Sequence, residues 1–480
     1  MSKCTAWRGG GAVAAAAVVL LAGCGGGGAG SKSDAGGGAV DGGGAVDDAG
    51  RADAAGCATC GGVVTFEAGR TPTAELHVAS TGNDTTGDGS AARPFATVAR
   101  GARAAPPGTA VRVHAGTYAG GGFIDNVMGT MAAPIWLGGA PGEARPVIMG
   151  GGESLHFSRG RYLVIHDLEL RSATDNGLNF DDAGDYASAD AARFIVLRDL
   201  YIHDIGSGGN QDCVKLSGLN DFVVLDSEIA RCGGAGGGSG IDMVGCHRGL
   251  IARSHIHDTS NAVQAKGGSD DVEVRWNRLV SPGPRAVNMG GSTDLQFFRP
   301  PLLTSGENFE ARNIRVLGND IVDADAPFAF VGCVDCLAAH NTVIHPRRNL
   351  MRILQETSSG GGYSFAPARG GRVVSNLFVY RRADLSEDVN IGPGTQAASF
   401  VFANNLWFAE DQVARSRPTL PSTETAAVVG QDPGLGAGYA IGAGSPAAGA
   451  GAAAPPLPGD LSGVCWHASP AIGAHEVGCP

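Results

Sequence analysis

The chain has 480 residues, with 35 Lys or Arg against 47 Asp or Glu, for a formal charge of −12. With no basic block in it, this balance argues against nucleic acid as a partner, and a polyanionic ligand would need a local positive stripe or a bridging cation. The roughly 420 residues beyond position 62 would strain a single ordinary core, whereas a solenoid has no such limit because each repeat meets only its neighbours.

In chain order, Lys3 and Arg8 come first, followed over 11–22 by small apolar residues too few to span a membrane. The run closes on Leu21, Ala22, Gly23 and Cys24, which resembles a bacterial lipobox. That resemblance implies a signal peptide over 1–23, cleavage before Cys24 and a diacylglyceryl thioether on its sulfur. Gly25 follows in place of Asp, which points to the outer membrane or the cell surface. Residues 24–61 are Gly, Ala, Ser and Asp with little that is bulky, and such a segment reads as a flexible tether. The body is expected over 62–480, as a monomer. Of 11 cysteines, Cys4 leaves with the signal and Cys24 takes the lipid; the rest are disulfide candidates in an oxidising compartment. The local pairs are Cys57/Cys60, Cys333/Cys336 and Cys465/Cys479. The two Cys-x-x-Cys pairs lack further ligands at zinc spacing.

Phe95, Val98, Ala99 and Ala102 have helical spacing, and Pro94 suits a first turn, so a short helix is expected over 94–105. Beyond it a short apolar phrase with a central Asp, Ser or Asn recurs, as in 164–170 (VIHDLEL), 196–202 (VLRDLYI), 274–279 (VRWNRL) and 316–321 (VLGNDI). The central residues are Asp167, Asp199, Ser227, Ser254, Asn277, Asn319, Asn341, Asn376 and Asn405. Apolar and polar residues alternate as in half-buried strands, and the polar centre suits a corner where side chains stack from coil to coil. Uneven gaps between phrases exclude a helical array of fixed period. The expected fold is all-β, a right-handed parallel β-helix with an N-terminal capping helix. The stretches 76–118 and 431–480 resemble the opening and closing segments of many secreted proteins of that architecture.

A second strand aligns in most coils: 178–181 (LNFD), 214–217 (VKLS), 241–244 (IDMV), 263–266 (VQAK), 287–290 (VNMG) and 328–331 (FAFV). First and third positions point inward. Second and fourth positions point outward, so Asn179, Lys215, Asp242, Gln264 and Asn288 form one row of a ladder, with Asp181, Ser217 and Lys266 in the next. Asp181, Asp182 and Asp185 lie within one turn and could share a hard cation such as calcium. The pattern Asn-x-Asp-Asp-x-x-Asp from Asn179, with Asp212 to Gly218 one coil later, resembles polysaccharide lyase family nine. It implies pectate-lyase-like chemistry with calcium on Asp181, Asp182 and Asp185 and Lys215 as base; Ala183 departs from that motif's usual Gly. Residues 262–268 (AVQAKGG) followed by Asn277 are similar to the lysine strand of polysaccharide lyase family six, the alginate and chondroitin lyases. This implies Lys266 as base, with Arg285 replacing an arginine absent at Gly290.

Both resemblances imply an enzyme that cleaves a uronate-containing polysaccharide by β-elimination, which needs a lysine whose pKa is lowered. The alternative is a non-catalytic glycan-binding protein or adhesin using the same ladder through Asp242, Gln264 and Asn288. In residues 291–301, Phe297, Phe298 and Arg299 would suit sugar stacking and carboxylate pairing. His203, His255 and His257 fall on the corner strand and read as structural. An outward lysine adds little to packing, so truncating Lys215 or Lys266 is expected to leave thermal unfolding nearly unchanged.

Overall fold

The computed structural model describes residues 60–206, 208–234, 237–453 and 455–478; Cys24, Cys57 and Cys479 lie outside them. Each phrase with a polar centre becomes two strands joined by a bend, and the second aligned phrase adds a third strand to the same coil. In one coil these are Ala192–Arg198, Tyr201–Ile205 and Val214–Ser217. Stacked coils build three sheets. The first has 14 strands and begins at Ala74–Val78; the second has 12 and begins at Thr117–Ala119. The third has 10, running from Gly122–Asp125 to Val389–Ile391. Neighbouring strands within all three are parallel. Parallel neighbours need a crossover, and winding in one sense around a shared core makes this a right-handed parallel β-helix.

The inward residues of all three sheets form one continuous core. Aromatic residues stack along it, with ring centroids 5.4 Å apart for Phe157 and Phe180 and 4.3 Å for Phe378 and Trp407. Bends between the first and second sheets carry a file of left-handed residues, including Asp167 (φ 51°), Asp199 (φ 53°) and Asp226 (φ 49°). Asp tolerates this conformation better than most residues because its short side chain bonds locally. The polar ladder occupies the next position. Leu168 and Leu200 hold that position in the upper coils, so Asp167 and Asp199 are the bend residues and not the start of the ladder, which opens at Ser227.

From Ser254 the ladder is continuous. Asn277 receives the Ser254 N–H, and Asn319, Asn341, Asn376 and Asn405 each receive the backbone N–H and the side-chain amide of the residue above. Asn341 donates to Val316 O (2.8 Å), Ala339 O (3.1 Å) and Asn376 Oδ1 (2.8 Å). Asn341→Ala strands several buried groups at once and is expected to cost about 3 kcal/mol in denaturant unfolding. A loss below about 1 kcal/mol would mean that water restores those bonds.

The capping helix is Val98–Ala104, shorter than the 94–105 expected. Thr97 caps it, accepting from Arg100 N, while Asp84 receives Ala96 N and Thr97 N. Pro94 and Phe95 are extended ahead of it, with Phe95 bridged to Val78 and buried. The described chain begins against the first sheet's outer surface. Cys60 is bonded to Cys465, Trp276 Nε1 donates to Gly459 O (3.1 Å), and Val63 and Leu457 pack on that indole. The strap then climbs to Phe66, which meets Tyr162 and Phe194 edge-on. The local pairings of Cys60 with Cys57 and of Cys465 with Cys479 are therefore replaced by a bond between the two ends of the body. Cys333 pairs with Cys336 as expected, Cys213 pairs with Cys232, and Cys246 is free and buried.

Candidate functional site

The third sheet delivers the outward ladder. Strand register aligns His156, Asn179, Lys215, Asp242, Gln264, Asn288, Ala329, Arg352 and Asn390 in one row. The row is longer than the aligned phrases suggested: His156, Arg352 and Asn390 stand in strands whose short apolar frames did not reveal them.

At its centre lie two lysines and two buried carboxylates. Lys215 Nζ is hydrogen-bonded to Asp242 Oδ2 and lies 3.4 Å from Asp212 Oδ2; Lys266 Nζ lies 3.6 Å from Asp242 Oδ2 on the other side. Asp212 and Asp242 are 1% and 2% exposed. Burial and the neighbouring Asp242 charge push the Asp212 carboxyl up to about 7. Burial alone would lift Asp242 too, but the Lys215 and Lys266 ammoniums outweigh it and hold that carboxyl below its ordinary value. Burial would lower Lys215, yet its two carboxylates win and hold its ammonium above the ordinary lysine range. This reverses the lowered pKa that a Lys215 base requires. Asp212 was not singled out as functional from sequence. Its spacing of three before Lys215 was visible, but its burial beneath that lysine was not.

The Lys266 stem runs beside Gly291. Gly291 has φ 151°, and a Cβ there would meet Asn288 Nδ2 and Lys266 Cδ at 3.5 Å and Gln264 Nε2 at 3.6 Å. Lacking that atom, the chain leaves space bordered by the Lys266 stem and two amides. Arg285 closes the next side: it donates to Asn288 Oδ1 (3.1 Å) and pairs with Glu356 (2.5 Å). Gln264, Asn288, Gly291, Arg285 and Glu356, with Ser260, Pro284 and Arg352, line an open groove of about 510 Å³, and the Lys266 stem lies next to it at Gly291.

The predicted calcium set does not assemble. Asp181 accepts from His156 Nε2 (2.7 Å) and Ser158 Oγ (2.6 Å), Asp182 is buried in a two-bond pair with Arg299, and Asp185 is exposed. Among the described residues no group of three His, Cys, Asp or Glu is placed to share an ion, so Asp181, Asp182 and Asp185 do not fit a calcium site. Arg299 is likewise withdrawn from the groove: paired with Asp182 and laid over Tyr186, it ties residues 291–301 down. Phe298 is buried beside Phe365, leaving Phe297 as the exposed aromatic of that segment. His203 is buried between Asp204 and Glu169 on the second sheet, where His255 and His257 also lie, away from the ladder.

His156, at the upper end, sits between Glu153 and Asp181, each 2.7 Å away. Burial alone would lower it, but hydrogen bonds to Asp181 and Glu153 lift it to about 9 from the ordinary 6.5. A raised folded pKa means that this cluster stabilises the fold fully below pH 6.5, and that the contribution is lost as pH rises through about 9. Unfolding of the parent and of His156→Gln should therefore converge above pH 9 and diverge below 6.5. An imidazole resonance titrating at its ordinary value would overturn this.

No family model matches the chain, and no curated protein matches it. Solved structures similar to it include pectate lyase Pel9A, at 16% identity over 85% of this chain and 98% of that one, with a TM-score of 0.49. An alginate lyase from Paenibacillus sp. str. FPU-7 is 17% identical over 68% of this chain and 99% of its own, with a TM-score of 0.40. A rhamnogalacturonan lyase is 13% identical over 69% and 87%, with a TM-score of 0.42. None of the three reaches a TM-score of 0.5, and what this chain does has to be argued from its own side chains.

Proposed function

We propose that the third-sheet groove binds a uronate-containing polysaccharide and cleaves it by β-elimination, with Lys266 as the base. The observation that carries this is that Lys266 meets Gly291 on the groove wall beside Gln264 and Asn288, with Arg285 bonded to Asn288 and the fixed Lys215 ammonium behind Asp242. In the reaction, a base removes the proton alpha to the uronate carboxylate, the carbon–oxygen bond one carbon further breaks, and the departing sugar oxygen takes up a proton. Lys266, in its unprotonated form, supplies the accepting amine. Lys215, held charged by Asp212 and Asp242, supplies a positive field for the carboxylate as it becomes an enolate, and Arg285 a guanidinium aimed into the same groove. Asp242, buried between the two lysines, fixes their positions, while Gln264 and Asn288 on the groove wall offer hydrogen-bonding partners to sugar hydroxyls.

The second reading is a binding face without turnover. It is favoured by one observation: Lys215 and His156 are both held protonated, which suits retaining a polyanion as well as reacting with one. Incubation with pectate, alginate and glycosaminoglycans separates the two, because elimination creates an unsaturated uronate that absorbs in the ultraviolet. Product from one of them establishes the lyase; retention of a polysaccharide with no product from any establishes the binder. We also place the protein at the outer membrane or cell surface, held by lipid on Cys24 and acting as a monomer. Support for the anchor is the sequence Leu21-Ala22-Gly23-Cys24, and mass spectrometry of the mature amino terminus tests it.

A further inference from the structure

Three parts of the site come from separate stretches of chain: Lys266, beside the groove, from a third-sheet strand, Gly291 and Ser292 from the segment 291–301, and Glu356 from a second insertion over 355–366. All three meet at one side chain. Glu310 is 1% exposed, and its two oxygens accept four hydrogen bonds. Oε2 receives Gly267 N (3.0 Å), directly after Lys266, and Thr293 Oγ1 (2.8 Å); Oε1 receives Thr293 N (2.9 Å) and Thr357 Oγ1 (2.6 Å), next to Glu356. Glu310 O also receives Gly268 N (2.9 Å). Among the described residues no cation pairs with this carboxylate, and these donors meet its charge. A carboxylate has the acceptor capacity for all four, whereas an amide of the same shape must turn an NH₂ toward a backbone N–H.

We propose that Glu310 is the positioning residue of the groove, one buried carboxylate that sets Lys266 and both overhanging segments relative to each other. The role in catalysis rests on the lyase reading; the mechanical role does not. Each segment has other attachments: Arg299 to Asp182 and, by its N–H, to Gly267 O in the first, Gln355 to Thr357 O and Ala366 O in the second, and an apolar contact of Phe298 with Phe365 between them, but none of these is one group bonded to all three parts. Glu310 joins the two segments to each other and to the lysine strand.

The test compares the parent, Glu310→Gln and the destabilised control Thr97→Ala, whose lost helix cap lies far from the groove. Hydrogen exchange in 291–299 and 355–366 should rise about tenfold in Glu310→Gln, with Ala192–Arg198 unaltered, because hydrogen bonds to a charged acceptor are lost only there. Thr97→Ala should leave both segments as in the parent. If Glu310→Gln fails to fold, Thr293→Val and Thr357→Val serve instead, each loosening its own segment. Unchanged exchange, or loosening equal in all parts of the body, overturns the proposal. On a polysaccharide that the parent cleaves, Glu310→Gln should lose kcat about tenfold or more with KM changed less, since loosened walls misplace the amine more than they remove binding contacts. A fall in stability with kcat unchanged also overturns it. Absence of product from the parent would defeat the lyase reading alone, and the exchange result would still decide the role of Glu310.

Discussion

Lys215→Ala should destabilise the body by about 3 to 5 kcal/mol, the range for removing one partner of a buried ion pair. The ammonium sits between Asp212 and Asp242, both almost fully buried. Without it, two like charges face each other in a low-dielectric setting and one must take a proton. The Asp212 carboxyl, already pushed up to about 7 in the parent, then rises further, so its share of the penalty relative to the parent is small below that value and grows as pH rises above it. Denaturant unfolding at pH 5 and pH 8 should show the larger loss at pH 8. In Lys215→Met with Asp242→Asn much of the stability should return, because both charges leave together. A loss under about 1 kcal/mol would reduce the pair to the value of an exposed one. This replaces the expectation, drawn from the strand pattern alone, that an outward lysine can be cut without cost.

Lys266→Ala should lower turnover by about a hundredfold to ten-thousandfold, the usual range for a positioned acid or base. Its effect on unfolding should be much the smaller of the two lysine variants, since Asp242 keeps Lys215 when Lys266 is gone. Arg285→Ala should fail as well, through loss of the charge beside Asn288. Chelation should leave the parent rate unchanged, because Asp181, Asp182 and Asp185 point into separate interactions. Retained turnover in Lys266→Ala with loss in Lys215→Met would move the base to Lys215.

The architecture was legible because a strand buried on one face must alternate, and because stacked amides leave Asn at one position in successive coils: Asn277, Asn319, Asn341, Asn376 and Asn405 read directly. The same rule misplaced Asp167 and Asp199 by one residue, since bend and ladder positions are adjacent and both favour short polar side chains. Facing Lys215, Asp242 and Lys266 outward followed from the period of two. Their depth did not, because depth depends on how far the insertions at 291–301 and 355–366 cover the sheet. Arg299 shows the limit: a basic residue in an overhanging segment reads as available, and only the position of Asp182, 117 residues earlier, reveals that it is already bound.

Cys60 joins the body on the flank of the first sheet and not at the capped first coil. Force applied through the chain before Cys60 would thus reach Cys465 and the Trp276 surface before any coil. A solenoid pulled from its tip can be peeled one coil at a time, each step resisted only by the next interface. Held by the flank, with its two ends bonded together, this one has to yield across many strands in shear. The capping helix at Val98–Ala104 lies outside that load path.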